Sequence, residues 1–127
     1  MFLIDPLSRK PVYEQIIEQA ERFVLSGVMS PGSQFPSVRG MSVSLSINPN
    51  TIQKAYNDLE RRGVLLTVPG KGCFVAPQAL DMLQQQKRAQ VGAFDALVRE
   101  LLLAGVTPQD LKARIDGVFA ERKELPS

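Results

Sequence analysis

Five residues crowd the opening of one short stretch, SINPNTIQKAYNDLERRG (Ser46–Gly63): Asn48, Asn50, Thr51, Gln53 and Lys54. Carboxamides and a hydroxyl supply hydrogen-bond donors and acceptors, and the lysine adds a cation. That chemistry is recognition rather than bond making: such groups reach the edges of nucleobases or phosphate oxygens. Alanine or glutamate would serve helix stability better at Asn50 and Thr51, so the pattern asks for a reason outside stability. A plainer account stays open on propensity alone, in which Asn48 caps the helix and Asn50, Thr51 and Gln53 are merely solvated.

Other chemistries lack their residues. The chain has no histidine and one cysteine, Cys73. The commonest metal ligand and general base is therefore missing, and neither an intramolecular disulfide nor a cysteine-based zinc site can form. There is no nucleophile–base pair, no phosphate-binding glycine loop after a strand and no carboxylate cluster with metal spacing. An enzyme is not expected, nor a metal or cofactor. Cys73 reads as a small buried hydrophobe, since no second cysteine stands ready to resolve an oxidised form.

Charge points the same way as the crowded turn. The net charge is only +2, but its distribution matters more than its sum. From Gln34 to Ala76, Arg39, Lys54, Arg61, Arg62 and Lys71 face only Asp58 and Glu60, whereas from Pro77 onward seven basic and seven acidic residues cancel. The middle of the chain is its cationic part. No apolar run approaches the ~18 to 20 residues that span a bilayer. The opening MFLIDPLSRK has its apolar residues before its basic ones, the wrong order for a secretory signal. A cytoplasmic protein with no membrane partner is expected.

These residues need elements to hold them. PVYEQIIEQAERFVLSG predicts a helix with Tyr13, Ile16, Ile17, Ala20 and Val24 on one face, ending at Gly27. Tyr13 shares the apolar spacing, so core and surface roles are both open to it. SPGSQFP is a loop, with a brief extended piece at Gln34–Phe35. Ser37 caps a short second helix with Val38, Met41 and Leu45 inward, in which Gly40 costs about 1 kcal/mol relative to alanine. Asn48 caps the third helix and Pro49 opens it, with Ile52, Ala55, Tyr56 and Leu59 on the buried face. VLLTV and CFVA then form a hairpin around PGKG, with Pro69–Gly70 at the centre of a type II turn and Lys71 at the tip.

Helix, loop, short helix, tight turn, helix and hairpin is the order of a winged helix-turn-helix. The blocks PVYEQIIEQ, SGVMSPGSQFPSVRGM, INPNTIQKAYNDLERRGVL and PGKGCFVA resemble the DNA-binding domain of GntR-type bacterial transcription regulators, and the short tail is similar to the YtrA-like branch. The resemblance implies that Ser37 and Arg39 meet DNA, with Arg39 reading a guanine through its planar fork or contacting a phosphate. It puts Asn48, Asn50, Thr51 and Gln53 at recognition-helix contacts, Tyr13 against a phosphate, and Gly70 and Lys71 at the wing tip. Lys54 is then a phosphate contact, while Arg61 and Arg62 read as a solvated helix end. The chain departs from the family pattern at Gly40, where an acidic residue is common, at Ser46, where the turn often has glycine, and at Pro69, where many wings carry arginine.

The expected fold is mainly α with a small β-hairpin: a winged helix-turn-helix domain over residues 1–76, then a two-helix dimerisation tail over residues 77–127. The tail predicts one long helix from about Ala79 to Ala104, then a second capped by Thr107 with Pro108 at its first position. Phe94, Leu97, Val98, Leu101 and Leu102 make a face wider than a helix striped by Leu111, Ile115, Val118 and Phe119 can cover, so a second chain is expected to cover the rest. In the rival arrangement the last helix folds back and completes a monomeric core. The expected partners are a two-fold double-stranded DNA operator and a second copy of the chain, acting together as a repressor. The rival function is a winged-helix protein–protein interaction module, which would more often expose aromatics than Asn, Thr, Gln and Lys. No residue pattern identifies a small-molecule effector.

Overall fold

The computed structural model describes residues 1–124 and divides into two compact units, Met1–Gln84 and a second beginning at Gln85. In the first unit, α1 (Val12–Leu25) follows Pro11, which serves as N-cap with extended φ/ψ. A two-residue strand, β1 (Gln34–Phe35), precedes α2 (Val38–Leu45) and α3 (Pro49–Arg61). Strands β2 (Leu65–Val68) and β3 (Gly72–Val75) complete the wing, and α4 (Ala79–Arg88) follows.

The caps do what their residue types suggest. Ser37 accepts a hydrogen bond from the Gly40 N–H, and Asn48 Oδ1 accepts one from the Asn50 N–H at 2.8 Å. Each satisfies an amide that the first turn of a helix leaves without a partner. At Gly40 an added Cβ would lie 3.0 Å from Ser37 Oγ, so the weak helix former leaves the cap room. Ser46 carries the sharp turn between α2 and α3 in the left-handed conformation, φ 56°, where glycine is the easier residue.

The wing is more than a hairpin. β1 pairs antiparallel with β3, giving the order β1-β3-β2, with Phe35 opposite Cys73 and Leu65 opposite Val75. At the tip Gly70 has φ +78° and the Lys71 N–H donates to the Val68 carbonyl at 3.0 Å, as a type II turn requires.

The core joins α1, α3 and the sheet. Ile16, Ala20, Ile52, Ala55, Leu59 and Val64 are fully buried, each larger side chain contributing about 1.5 to 3 kcal/mol by leaving water. Two parts of this core are not among the residues read as core from the sequence. Phe2 packs edge-on against Phe23 and Phe35, while the Gln15 side chain bonds the Asp5 N–H, the Asp5 carbonyl and the Lys10 carbonyl, strapping the first ten residues to α1. Beyond Ala76, Ala79 and Leu83 of α4 are also buried, so the first unit runs to Gln84.

The second unit holds α5 (Val91–Leu103) and α6 (Pro108–Glu124). The single long helix expected from Ala79 to Ala104 is a correction: it is interrupted at Ala89–Gln90. The Gln90 N–H closes a tight bond to the Lys87 carbonyl, and the ladder restarts with the Phe94 N–H on the Gln90 carbonyl. No proline marks the break; Gly92, a weak helix former, sits just beyond it. Gly105 follows α5, and Thr107 caps α6 through the Asp110 N–H. None of the described residues of this unit is buried; Val98 and Leu101 of α5 and Leu111 of α6 are half-buried.

Candidate nucleic-acid interface

The first turns of α3 lie open. Asn50, Gln53 and Lys54 are exposed and Thr51 is half-buried, because Ile52, Ala55, Tyr56 and Leu59 take the opposite face into the core. Asn50, Gln53 and Lys54, with Tyr13, Asn57, Asp58 and Arg61, line a shallow groove of about 430 Å³ where α3 passes the start of α1. Lys54 Nζ sits 3.9 Å from the centre of the Tyr13 ring, a cation–π contact that holds the ammonium over α1. Tyr13 thus does both things its spacing allowed: its ring packs on the core, and its hydroxyl stays near the surface, 3.4 Å from Glu14 Oε1.

Side-chain bonding decides what each group has left to offer. Asn48 Oδ1 is occupied by its cap, which leaves the amide NH₂ as donor. Ser37 Oγ accepts from Gly40 and keeps its own O–H. Gln53 Nε2 donates to Asn57 Oδ1 at 2.8 Å, aligning two carboxamides along the exposed face; Asn57 belongs to this row although the sequence reading left it out of the site. Its i, i+4 spacing from Gln53 was the available signal. Arg39, Gly70 and Lys71 are all exposed, and neither Arg39 nor Lys71 has an ion-pair partner among the described residues.

Arg61 and Arg62 are engaged differently. Arg61 pairs with Asp58, and Arg62 lies 3.5 Å from both Glu21 and Asp58. Burial opposes ionisation of Asp58, but the Arg61 hydrogen bond and the two guanidinium charges outweigh it and hold its carboxyl below the usual carboxylate range. These arginines are therefore partly spent on carboxylates, whereas Lys54, Lys71 and Arg39 are not. Cys73 is half-buried in the wing rather than fully enclosed; burial, with the nearby Glu60, pushes its thiol up, away from reactivity. No group of three His, Cys, Asp or Glu side chains suited to a metal occurs among the described residues.

A short capped helix, a tight turn, a polar-faced second helix and a three-stranded wing define a winged helix-turn-helix DNA-binding domain. Residues 12–75 match the family described as "Bacterial regulatory proteins, gntR family". The chain is 37% identical over 124 residues to the HTH-type transcriptional repressor YtrA of Bacillus subtilis (strain 168), covering 97% of this chain and 95% of that protein. The crystal structure of a transcriptional regulator from Oenococcus oeni superposes with a TM-score of 0.73 at 28% identity, covering 94% of this chain and 99% of that one. The AraR(DBD) crystal structure in complex with operator matches 58% of this chain and 92% of that one, at TM-score 0.52 and 32% identity. The chain belongs to the gntR family of bacterial regulatory proteins. It is a DNA-binding transcription regulator of that family, not an enzyme. Among its described residues no helix is long and apolar enough to cross a membrane.

Proposed function

We propose that the protein is a cytoplasmic, homodimeric repressor that lays one α3 into the major groove at each half of a two-fold operator. The observation that carries this reading is the open first turn of α3, where Asn50, Gln53 and Lys54 share one groove with Tyr13. Asn50, Thr51 and Gln53 read base edges; Arg39, at the start of α2, reads a guanine. Ser37, the Asn48 amide, Tyr13 and Lys54 hold phosphates, and Gly70 with Lys71 brings the wing tip against the backbone. The repressor sense is carried over from the name of the Bacillus subtilis relative.

The second copy is proposed from the tail. Phe94, Leu97 and Leu102 of α5 are 49, 56 and 43% exposed, and Val98 and Leu101 between them are half-buried. On α6, Leu111 is half-buried while Ile115, Val118 and Phe119 are exposed. Exposed apolar residues at helical spacing on both helices are stable in water when a matching surface covers them, and a second copy supplies one by symmetry. The head therefore occupies residues 1–76 with the start of α4, and the remainder of the tail makes the dimer.

Selection of bound duplexes from a random pool, followed by anisotropy titration at several salt concentrations, tests the reading. One duplex with two-fold symmetry should be preferred, and its affinity should fall steeply with salt as phosphate counterions are released. Failure to prefer any duplex over the random pool would favour a protein–protein module instead.

A further inference from the structure

The α2 helix carries Ser37 and Arg39 to the proposed interface, yet it has little packing of its own. It is eight residues long, only Met41 is fully buried, and Val38 and Leu45 are half-buried. Helices this short gain their orientation from tertiary contacts rather than from propensity. Polar bonds hold α2 at both ends. At its C-terminal end Ser42 Oγ donates to the Ile47 carbonyl at 2.5 Å, across the turn that Ser46 makes. At its N-terminal end the Tyr56 hydroxyl, from the middle of α3, donates to the Pro36 carbonyl at 2.8 Å, the peptide that leads directly into the Ser37 cap. Tyr56 is 3% exposed, and its ring stands edge-on to Phe35 of β1 with centroids 5.1 Å apart. One side chain of the recognition helix therefore touches both the lead-in to α2 and the edge strand β1 of the wing.

We infer that Tyr56 is a positioning residue for DNA reading: its hydroxyl locks the start of α2 to α3, so that Arg39 and the first turn of α3 meet the same duplex in register. The inference rests on the interface proposed above and adds to it a residue that touches no DNA. The ring and the hydroxyl have separable jobs. The ring fills the core between α3 and β1, and its loss would cost the fold. The O–H makes a single bond to a carbonyl on an exposed proline, which water can solvate when the bond is gone. Removing the O–H therefore releases the lead-in to α2 and leaves the core filled.

The test is Tyr56→Phe in the full chain, read three ways. Circular dichroism and melting should show a folded protein. Backbone amide exchange should speed up at Arg39 to Ser42 of α2, by on the order of five- to tenfold as one hydrogen bond is lost, and stay unchanged in α1. Affinity for the selected duplex should drop by a similar factor of about five to ten while affinity for random duplex stays within about twofold, because phosphate contacts tolerate a loosened α2 and base readout does not. Ser42→Ala, which releases the other end, should show the same two signs. Unchanged exchange in α2 overturns the tether whatever the DNA result. Faster exchange with equal losses on both duplexes overturns the role in reading. A wild type without any duplex preference overturns the proposed interface and the reading role with it, and the exchange result then stands as a statement about α2 alone.

Discussion

The two units of this chain use apolar residues in opposite ways. The head encloses Ile16, Ile52, Leu59 and Val64 completely, and its polar residues face outward where α3 begins. Among the described residues of the tail none is buried, and Leu97 and Leu102 of α5 are 56 and 43% exposed. Both segments are rich in apolar residues at helical spacing, so periodicity does not separate them. What separates them is closure. Four helices and a sheet surround a core here, whereas the described residues of α5 and α6 enclose none. The head is complete as one chain, and the proposal for the tail is that completion comes from a second.

The sharpest way to break that comparison is to make equivalent truncations on each side. Leu59→Ala should destabilise the head by about 2 to 5 kcal/mol, because a filled core is left with a cavity. Leu97→Ala should change the melting of the monomer by less than about 0.5 kcal/mol, since the side chain is already in water. Denaturant titration of the two variants at low protein concentration measures both, and similar losses would erase the distinction.

Next in size is the effect of charge in the tail. Leu101→Glu should split the dimer, at a cost of several kcal/mol for a desolvated and unpaired carboxylate, while the head keeps its circular dichroism and its melting. DNA affinity should fall to that of one half-site, since the second contact is no longer nearly intramolecular. Sedimentation of both proteins decides it: a wild-type monomer at micromolar concentration, or a folded Leu101→Glu that still dimerises, removes the tail from the interface.

Within the head, the polar surface can be divided the same way. Arg39→Ala should cost about 1 to 3 kcal/mol and relax the preference at one base pair of each half-site. Lys71→Ala should weaken every sequence alike and flatten the salt dependence. Anisotropy against a panel of operator variants separates the two, and a uniform loss for Arg39→Ala would reduce it to a phosphate contact. The smallest effect belongs to the turn. Ser46→Gly should raise stability by up to about 1 kcal/mol, because glycine accepts φ 56° without a Cβ penalty. Melting curves should show that rise with DNA binding unchanged.

Sequence by itself determined the order of elements and most of their ends, because those signals act within a turn of chain. Ser37 and Asn48 cap where their side chains suggest, Gly70 takes the positive φ of the wing turn, and Ile52, Ala55, Tyr56 and Leu59 go inward together. The candidate site was legible for the same reason: what a buried face excludes at the start of α3 is what stands exposed there. Tertiary structure alone decided matters in which distant segments meet. It brought Phe2 to Phe23 and Phe35, joined β1 to β3, took Ala79 and Leu83 into the head, and set Tyr56 against Pro36 across twenty positions of sequence. It also broke the long helix at Gln90, where a tightened turn replaces the expected ladder without proline to announce it. Periodicity records which face of an element is apolar; which surface that face meets is set by the free energy of the whole packed chain, a sum over contacts that no local pattern contains.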